Sequence, residues 1–255
     1  MTDFTSKTIA VPPGLEDSDY IRERLSPQPG QHFYLHLSDL KAALLSAIPA
    51  ESCRVLDYGC GGSPYRSLFN ASSFHRADIE GTPNIDFPFQ ADSRIEAGSL
   101  SYDCVLSTQV LEHVQDYGLY LSESFRVLRP GGRLILTTHG NFPEHGCPYD
   151  FRRWTADGLR YDLVKAGFKV ERITKLTTGP RALVFLNSLY NRLMVVEGRS
   201  WFALIWRLGR LPFRARRAVL DVFTDRQFRK SGTVPETEPG HEFYIALMVV
   251  ASRPD

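Results

Sequence analysis

Apolar positions change their period along this chain, and the changes divide it. Between residues 31 and 48 (QHFYLHLSDLKAALLSAI) they fall at 33, 37, 40, 44, 45 and 48. That spacing predicts one buried face of a helix, and Pro49 stands where the helix must stop. From Cys53 onward, short apolar runs alternate with helical stretches. CRVLDYG predicts a strand entering a glycine turn, FHRADI a second strand, the short run before ADS a third, and YDCVLST a fourth. DYGLYLSESFRVLR predicts a helix, and PGG turns the chain into the strand RLILTT. TADGLRYDLVKAGF predicts a helix with Thr155 as N-cap and Gly167 as its stop, and FKVERITKL resumes as a strand. Strands alternating with helices imply parallel pairing through right-handed crossovers.

Residues 181–240 break the rhythm with segments of helical character, ALVFLNSLYNRLMVV, WFALIWRLGRL and RARRAVLDVFTDRQFRK. After Pro239 and Gly240, EFYIALMVVAS returns to the pattern of a buried strand. The expected organisation is an N-terminal arm and capping helix over 1–50 and an α/β core over 51–180. A basic helical insertion over 181–240 precedes the final edge strand of the core over 241–255.

Composition adds bounds. The chain has 255 residues, 43% hydrophobic and 23% charged, which suffices for a sizeable core. A net charge of +1 excludes a polyanion partner demanded by bulk charge. Charge is uneven, however. Between Arg181 and Lys230 ten Arg and one Lys face three acids, a surplus of eight, so the rest of the chain is acidic. Cys53, Cys60, Cys104 and Cys147 are widely spaced with no CxxC pair, which reads as reduced thiols, and no metal is expected. The first twenty residues have no apolar core segment of a signal peptide. The longest apolar stretches are broken by Arg192, Glu197, Arg199 and Arg207, short of a membrane span. A cytoplasmic protein is expected, with contact to the inner face of a membrane left open.

The most informative motif is VLDYGCGGSP. A strand ends at Asp57, and Gly59, Gly61 and Gly62 permit a tight turn and close backbone approach to a ligand. Asp57 can orient that turn or meet a cationic amino group. Asp78 ends the next strand 21 residues later, where a carboxylate can accept both hydroxyls of a ribose. Asp92 follows the third strand and can accept from an adenine amine. A nicotinamide dinucleotide fits poorly, because Pro64 stands where that loop needs its third glycine.

In their order, VLDYGCGG, ADI, YDCVLSTQVLEHV and VLRPGGRLILTT resemble the class I S-adenosylmethionine-dependent methyltransferases of the type 11 group. The likeness covers residues 53–138 closely and 139–180 and 241–253 more loosely. It implies a Rossmann-like, mostly parallel seven-stranded sheet with helices on both faces and one antiparallel edge strand, and the helical insertion before the last strand. It also implies S-adenosyl-L-methionine as cofactor, with Asp57, Gly59, Cys60 and Gly61 around its methionine part, Asp78 and Ile79 at the ribose, Asp92 at the adenine and Gln109 at the end of the fourth strand. Ser63 replaces the family's third loop glycine, which puts the close approach there in question.

Methyl transfer needs alignment of acceptor and methyl carbon, and a hydroxyl acceptor also needs a general base. The loop HGNFPEHGCPYDFRRW, residues 139–154, opens at the cofactor's edge of the sheet. His139 and His145 are the candidate bases, and Tyr149, Arg152 and Trp154 the candidate acceptor contacts. His113 is read as packing on the cofactor side. PYDFRRWT resembles a segment of bacterial methyltransferases linked to polysaccharide or lipid-linked glycan pathways. The expected activity is O-methylation of a small-molecule, glycan or lipid-linked acceptor. The alternative is a non-catalytic S-adenosylmethionine-binding scaffold or regulator. Trp201, Phe202, Trp206 and Phe213 among the arginines of 181–230 suit a peripheral membrane contact, a lid or a homodimer surface, and no nucleic-acid motif supports an RNA or DNA partner.

Overall fold

In the computed structural model, residues 18–89, 93–146, 149–193 and 213–255 are described. They form eight strands in one sheet of order β3-β2-β1-β4-β5-β8-β6-β7. β1 (Cys53–Tyr58), β2 (Ala71–Ile79), β3 (Phe87–Phe89), β4 (Tyr102–Thr108) and β5 (Leu128–His139) run parallel. The chain leaves β1 toward β2 and β3, then returns on the other side of β1 to start β4. The β1/β4 boundary is thus a topological switch point, and ligands bind outside the carboxyl ends of strands at such a crevice.

β6 (Lys169–Thr178), β7 (Thr233–Pro235) and β8 (Tyr244–Ser252) complete the sheet. β8 is antiparallel to β5 on one side and to β6 on the other. The final strand is therefore interior and not the expected edge. Its first eight residues are all buried, as a strand covered on both faces requires. The edge on that side is β7, antiparallel to β6, an eighth strand where seven were expected. Three residues are too short to show a period, and they lie within the segment expected to be helical throughout.

The helices are α1 (Ser18–Leu25), α2 (Tyr34–Leu45), α3 (Tyr117–Val127), α4 (Ala156–Lys165), α5 (Gly179–Leu193) and α6 (Phe213–Gln227). α4 starts where the sequence predicts: Thr155 accepts from the Gly158 amide, and Gly167 stops the segment at φ +98°. α3 is capped by Asp116, which accepts from the Leu119 amide. α2 buries more than one apolar stripe, because β6, α5 and α6 all pack on it. Its buried set includes His36 and Asp39, while Leu45, expected inward, is exposed.

An ion network joins those helices. Arg181, at the start of α5, donates to Asp39 of α2 through Nε (2.8 Å) and an Nη (2.7 Å) and pairs with Asp225 of α6 at 2.9 Å. Thr177 also donates to Asp39 (2.8 Å). Arg217 of α6 donates to the His32 carbonyl, and Asp221 accepts from the Gly30 amide. The arginines of the basic segment described here are thus partly internal. Val219 and Phe223 of α6 are exposed. No described helix is long and apolar enough to cross a membrane. Trp201, Phe202, Trp206 and the side chain of Phe213 lie outside the described residues, and with them much of the expected membrane or dimer surface.

Candidate functional site

A cavity of about 800 Å³ opens at the switch point, running from the turn after β1 to the loop after β5. Its first end is built by the glycine turn. Gly59 and Cys60 donate their amides to the Ala77 carbonyl of β2, so the turn folds back over the strand. Gly59 sits at φ +75°, and a Cβ there would lie 2.4 Å from a Val110 methyl. The position therefore demands glycine for conformation and for space. Ser63, in place of the third glycine, still adopts the left-handed region at φ +48°. Its hydroxyl accepts from Arg76 Nε at 2.9 Å, and Arg76 also donates to the Gly61 carbonyl at 2.7 Å. This buried guanidinium compensates for the missing glycine by bonding the turn from beneath.

Asp78 lines the cavity and organises the same turn. One oxygen accepts from the Gly61 amide (2.5 Å), the other from the Ile79 amide (2.7 Å). Burial nonetheless pushes its carboxyl upward. Cys60, Gly61 and Ile79 also face the cavity, and burial pushes the Cys60 thiol up, with Asp57 and Asp78 adding to the shift. Asp57 does not line it. It is buried beneath the turn, where loss of solvent raises its carboxyl to about 7 despite a hydrogen bond to Ser63. Asp92 lies outside the described residues.

At the end of β4, Gln109 is held at φ +57°, with its amide donating to the Thr137 carbonyl (3.0 Å) and its Nε2 to the Thr137 hydroxyl (3.2 Å). Its Oε1 is buried with no partner among the described residues. An orphaned acceptor on a strained residue in a crevice is the mark of a ligand contact. Turn, acid, orphaned amide and cavity together fit an adenosyl cofactor. Gly59, Cys60 and Gly61 would pass along it, Asp78 would take the ribose, and Gln109 would contact it from β4.

The opposite end is rich in imidazole: His36, His113, His139 and His145 all line it. His139, the last residue of β5, is buried and stacks on Phe142 with ring centres 4.1 Å apart. Its Nε2 lies 3.1 Å from Glu112 Oε1, and its Nδ1 has no hydrogen-bond partner among the described residues. Burial disfavours charge on both members of this pair. It drives the imidazole well below its ordinary range and raises the Glu112 carboxyl to about 7. His145 is half-exposed, beside Asp150. Tyr149 also reaches the cavity.

Arg152 and Trp154 do not. Arg152 donates to the carbonyls of Val114 and Gln115, both at 2.9 Å, and lies over the Tyr117 ring. Trp154 is buried against Tyr117 and donates to Asp162 at 2.9 Å. Both fasten the loop to α3 and α4, because a loop carries no period that fixes which side chains face inward. Sequence reasoning passed over Glu112, His36 and Phe142, and assigned His113 to packing. His36 carried a signal, a titratable residue set between two leucines of a helix.

A family profile described as a methyltransferase domain matches residues 31–173, more than half of the chain. The ubiquinone biosynthesis O-methyltransferase of Parvibaculum lavamentivorans is 32% identical over 195 residues, covering 63% of this chain and 72% of the relative. The protein of the same name from Rhizobium rhizogenes is 33% identical over 111 residues, but the match spans 36% of this chain and only 44% of the relative. Among solved structures, a SAM-dependent methyltransferase of Thermotoga maritima shares the fold with a TM-score of 0.55 at 16% identity, covering 92% of this chain and 95% of that one. This chain belongs to the S-adenosylmethionine-dependent methyltransferases of the class I, Rossmann-like fold.

Proposed function

We propose that the enzyme methylates a hydroxyl group on a small or lipid-linked acceptor with an apolar body. The observation that carries this reading is His139: a buried imidazole on the cavity wall that burial keeps neutral, with Glu112 beside one ring nitrogen and the other nitrogen without a partner among the described residues. A hydroxyl must lose its proton as its oxygen is methylated, and a positioned imidazole is the commonest group to take it. Nδ1 of His139 is free to accept that proton, and Glu112 favours the imidazolium that results.

S-adenosylmethionine supplies a methyl group on a positively charged sulfur, so the chain need not activate the donor. The remaining work is alignment and exclusion of water. Phe33, Leu37, Phe142, Phe151 and Leu189 give the acceptor end an apolar wall, suited to an aromatic or prenylated body with one or two polar groups. The names of the Parvibaculum and Rhizobium relatives support methylation at oxygen. Glycan-bearing acceptors remain within the proposal through the likeness of PYDFRRWT noted above.

The test is a panel of phenolic and lipid-linked hydroxyl acceptors, reading S-adenosylhomocysteine and the mass of the product. His139→Ala should lower kcat by about 10²- to 10⁴-fold while leaving the affinity for S-adenosylhomocysteine within about twofold. A product methylated at nitrogen or carbon, or an unchanged kcat in that variant, would overturn the proposal.

A further inference from the structure

Glu112, already beside His139, also meets His113 and His145, two side chains that methyl transfer as described does not use. One ligand atom from each lies within 4.8 Å of those from the other two. Glu112 and His113 are neighbours in the 3-10 turn Leu111–His113 after β4, and His145 comes from the loop after β5, so no linear spacing joins all three. The two rings meet edge to face with centres 5.0 Å apart.

Both histidines are oriented from behind. His113 Nδ1 lies 2.7 Å from the Tyr149 carbonyl. His145 Nδ1 lies 3.3 Å from the Asp150 carboxylate and 3.3 Å from the Pro143 carbonyl. Carbonyls and carboxylates only accept, so in each neutral ring the proton sits on Nδ1 and the lone pair on Nε2. A ring nitrogen tied to a carboxylate or carbonyl is the usual support of an imidazole that binds a metal. Asp150 is itself fixed by Arg153 through two contacts of 2.5 Å.

Glu112 completes the set. Its Oε2 accepts from the Thr138 hydroxyl at 2.8 Å. Its Oε1 is fully buried, and no described residue donates a hydrogen bond to it in good alignment. An orphaned carboxylate oxygen is costly in a dry interior. A cation held between this carboxylate and the two imidazoles would remove that cost.

We propose that Glu112, His113 and His145 bind one divalent cation at the acceptor end of the cavity. Two imidazoles and one carboxylate suit a borderline ion such as zinc, iron(II) or manganese(II), with open positions left for an outside ligand. His113 and His145 line the cavity, so that outside ligand is an acceptor oxygen, which the cation would hold in place and acidify. The binding claim stands on the three side chains alone, and only the role of the ion rests on the hydroxyl-methylation reading.

The test uses the full chain, stripped with a chelator and dialysed, without acceptor or methyl donor. Cobalt(II) and zinc are titrated by calorimetry, and cobalt(II) is also followed by its visible absorption. One equivalent should bind, with the intense visible bands of a four- or five-coordinate site. His145→Ala, at a half-exposed position, should weaken binding at least tenfold with an unchanged melting temperature, and His113→Gln should do the same. His75→Ala, on β2, should change nothing. Absence of stoichiometric binding up to millimolar cobalt(II), or binding that both His145→Ala and His113→Gln leave intact, overturns the site. Either result leaves the acceptor panel and His139→Ala free to judge the methyl-transfer reading separately.

Discussion

Asp57 offers a test of the turn that does not depend on any substrate. Its carboxyl is raised from 3.8 to about 7, first by burial and next by the neighbouring Asp78, against the pull of Ser63 and Arg76. Cys60, Tyr65, Cys104 and Tyr120 also feel it. In the unfolded chain Asp57 ionises near pH 4, whereas in the folded chain it keeps its proton until about pH 7. Between these values the native state binds the extra proton, so stability is fully present below pH 4 and is lost as pH rises to 7. At about 1.4 kcal/mol per unit the whole window is worth about 4 kcal/mol. That is a large part of the about 5–15 kcal/mol that holds a domain together.

Asp57→Asn removes the titration and keeps an acceptor for the Ser63 hydroxyl. Other buried carboxyls are raised as well, Glu112 to about 7 and Asp39 and Asp78 upward by loss of solvent, so the difference between the two chains is the quantity to read. Urea unfolding at pH 5, 6, 7 and 8 is the assay. From pH 5 to 7 the wild type should lose about 2 kcal/mol relative to Asp57→Asn, and the difference should be nearly flat from pH 7.5 upward. The absolute offset depends on how the added amide is satisfied, so the slope carries the test. A difference that stays constant to within about 1 kcal/mol across the series would show that water reaches Asp57 and that the turn is not closed over it.

Two further perturbations probe the geometry. Gly59→Ala places a methyl against Val110 at positive φ, and should cost about 1–2 kcal/mol from backbone conformation alone plus a steric part. Adding Val110→Ala should recover the steric part only, in melting temperature and in calorimetric affinity for S-adenosylmethionine. Arg181→Met strands the buried Asp39 carboxylate and should cost about 3–5 kcal/mol in urea unfolding. The double variant with Asp39→Asn should recover much of that loss, and simple additivity of the two losses would count against direct coupling.

Much of the sheet is legible in the sequence, because a strand and a helix stamp different periods on it. β1, β2, β4, β5 and β6 and the helices α3 and α4 stand where apolar runs and caps put them. β7 is not legible, since Thr233–Pro235 spans barely one repeat. The interior place of β8 was encoded in the unbroken run Tyr244–Ala251, which only a strand covered on both faces can afford. α2 misleads for a related reason. A helix packed on several sides has no single stripe, so Leu45 reads as buried while His36 and Asp39 are the buried ones. For the site, the glycine turn and Asp78 are contiguous with their strands and could be read directly. Arg152 and Trp154 could not be told from Tyr149, because loop side chains turn inward or outward according to tertiary partners.

That contrast has a structural cause. The cofactor end of the cavity is made of strand ends and the turns that leave them, Gly59 to Gly61, Asp78, Ile79 and Gln109. Each is fixed by backbone bonds to an adjacent strand, so local sequence determines its geometry. The acceptor end is assembled from α2, the loop after β5 and α5, and Asp39, Thr177 and Arg181 tie α2 to α5 and the end of β6. The rings of His36 and Phe185 meet across that junction with centres 5.5 Å apart, tilted by 38°. Substitutions at Phe33, Phe142 or Leu189 reshape the acceptor wall without touching a strand end, and should change which acceptor is methylated while leaving cofactor affinity alone. If such changes instead weakened cofactor binding as much as acceptor turnover, the two ends would form a single mechanical unit.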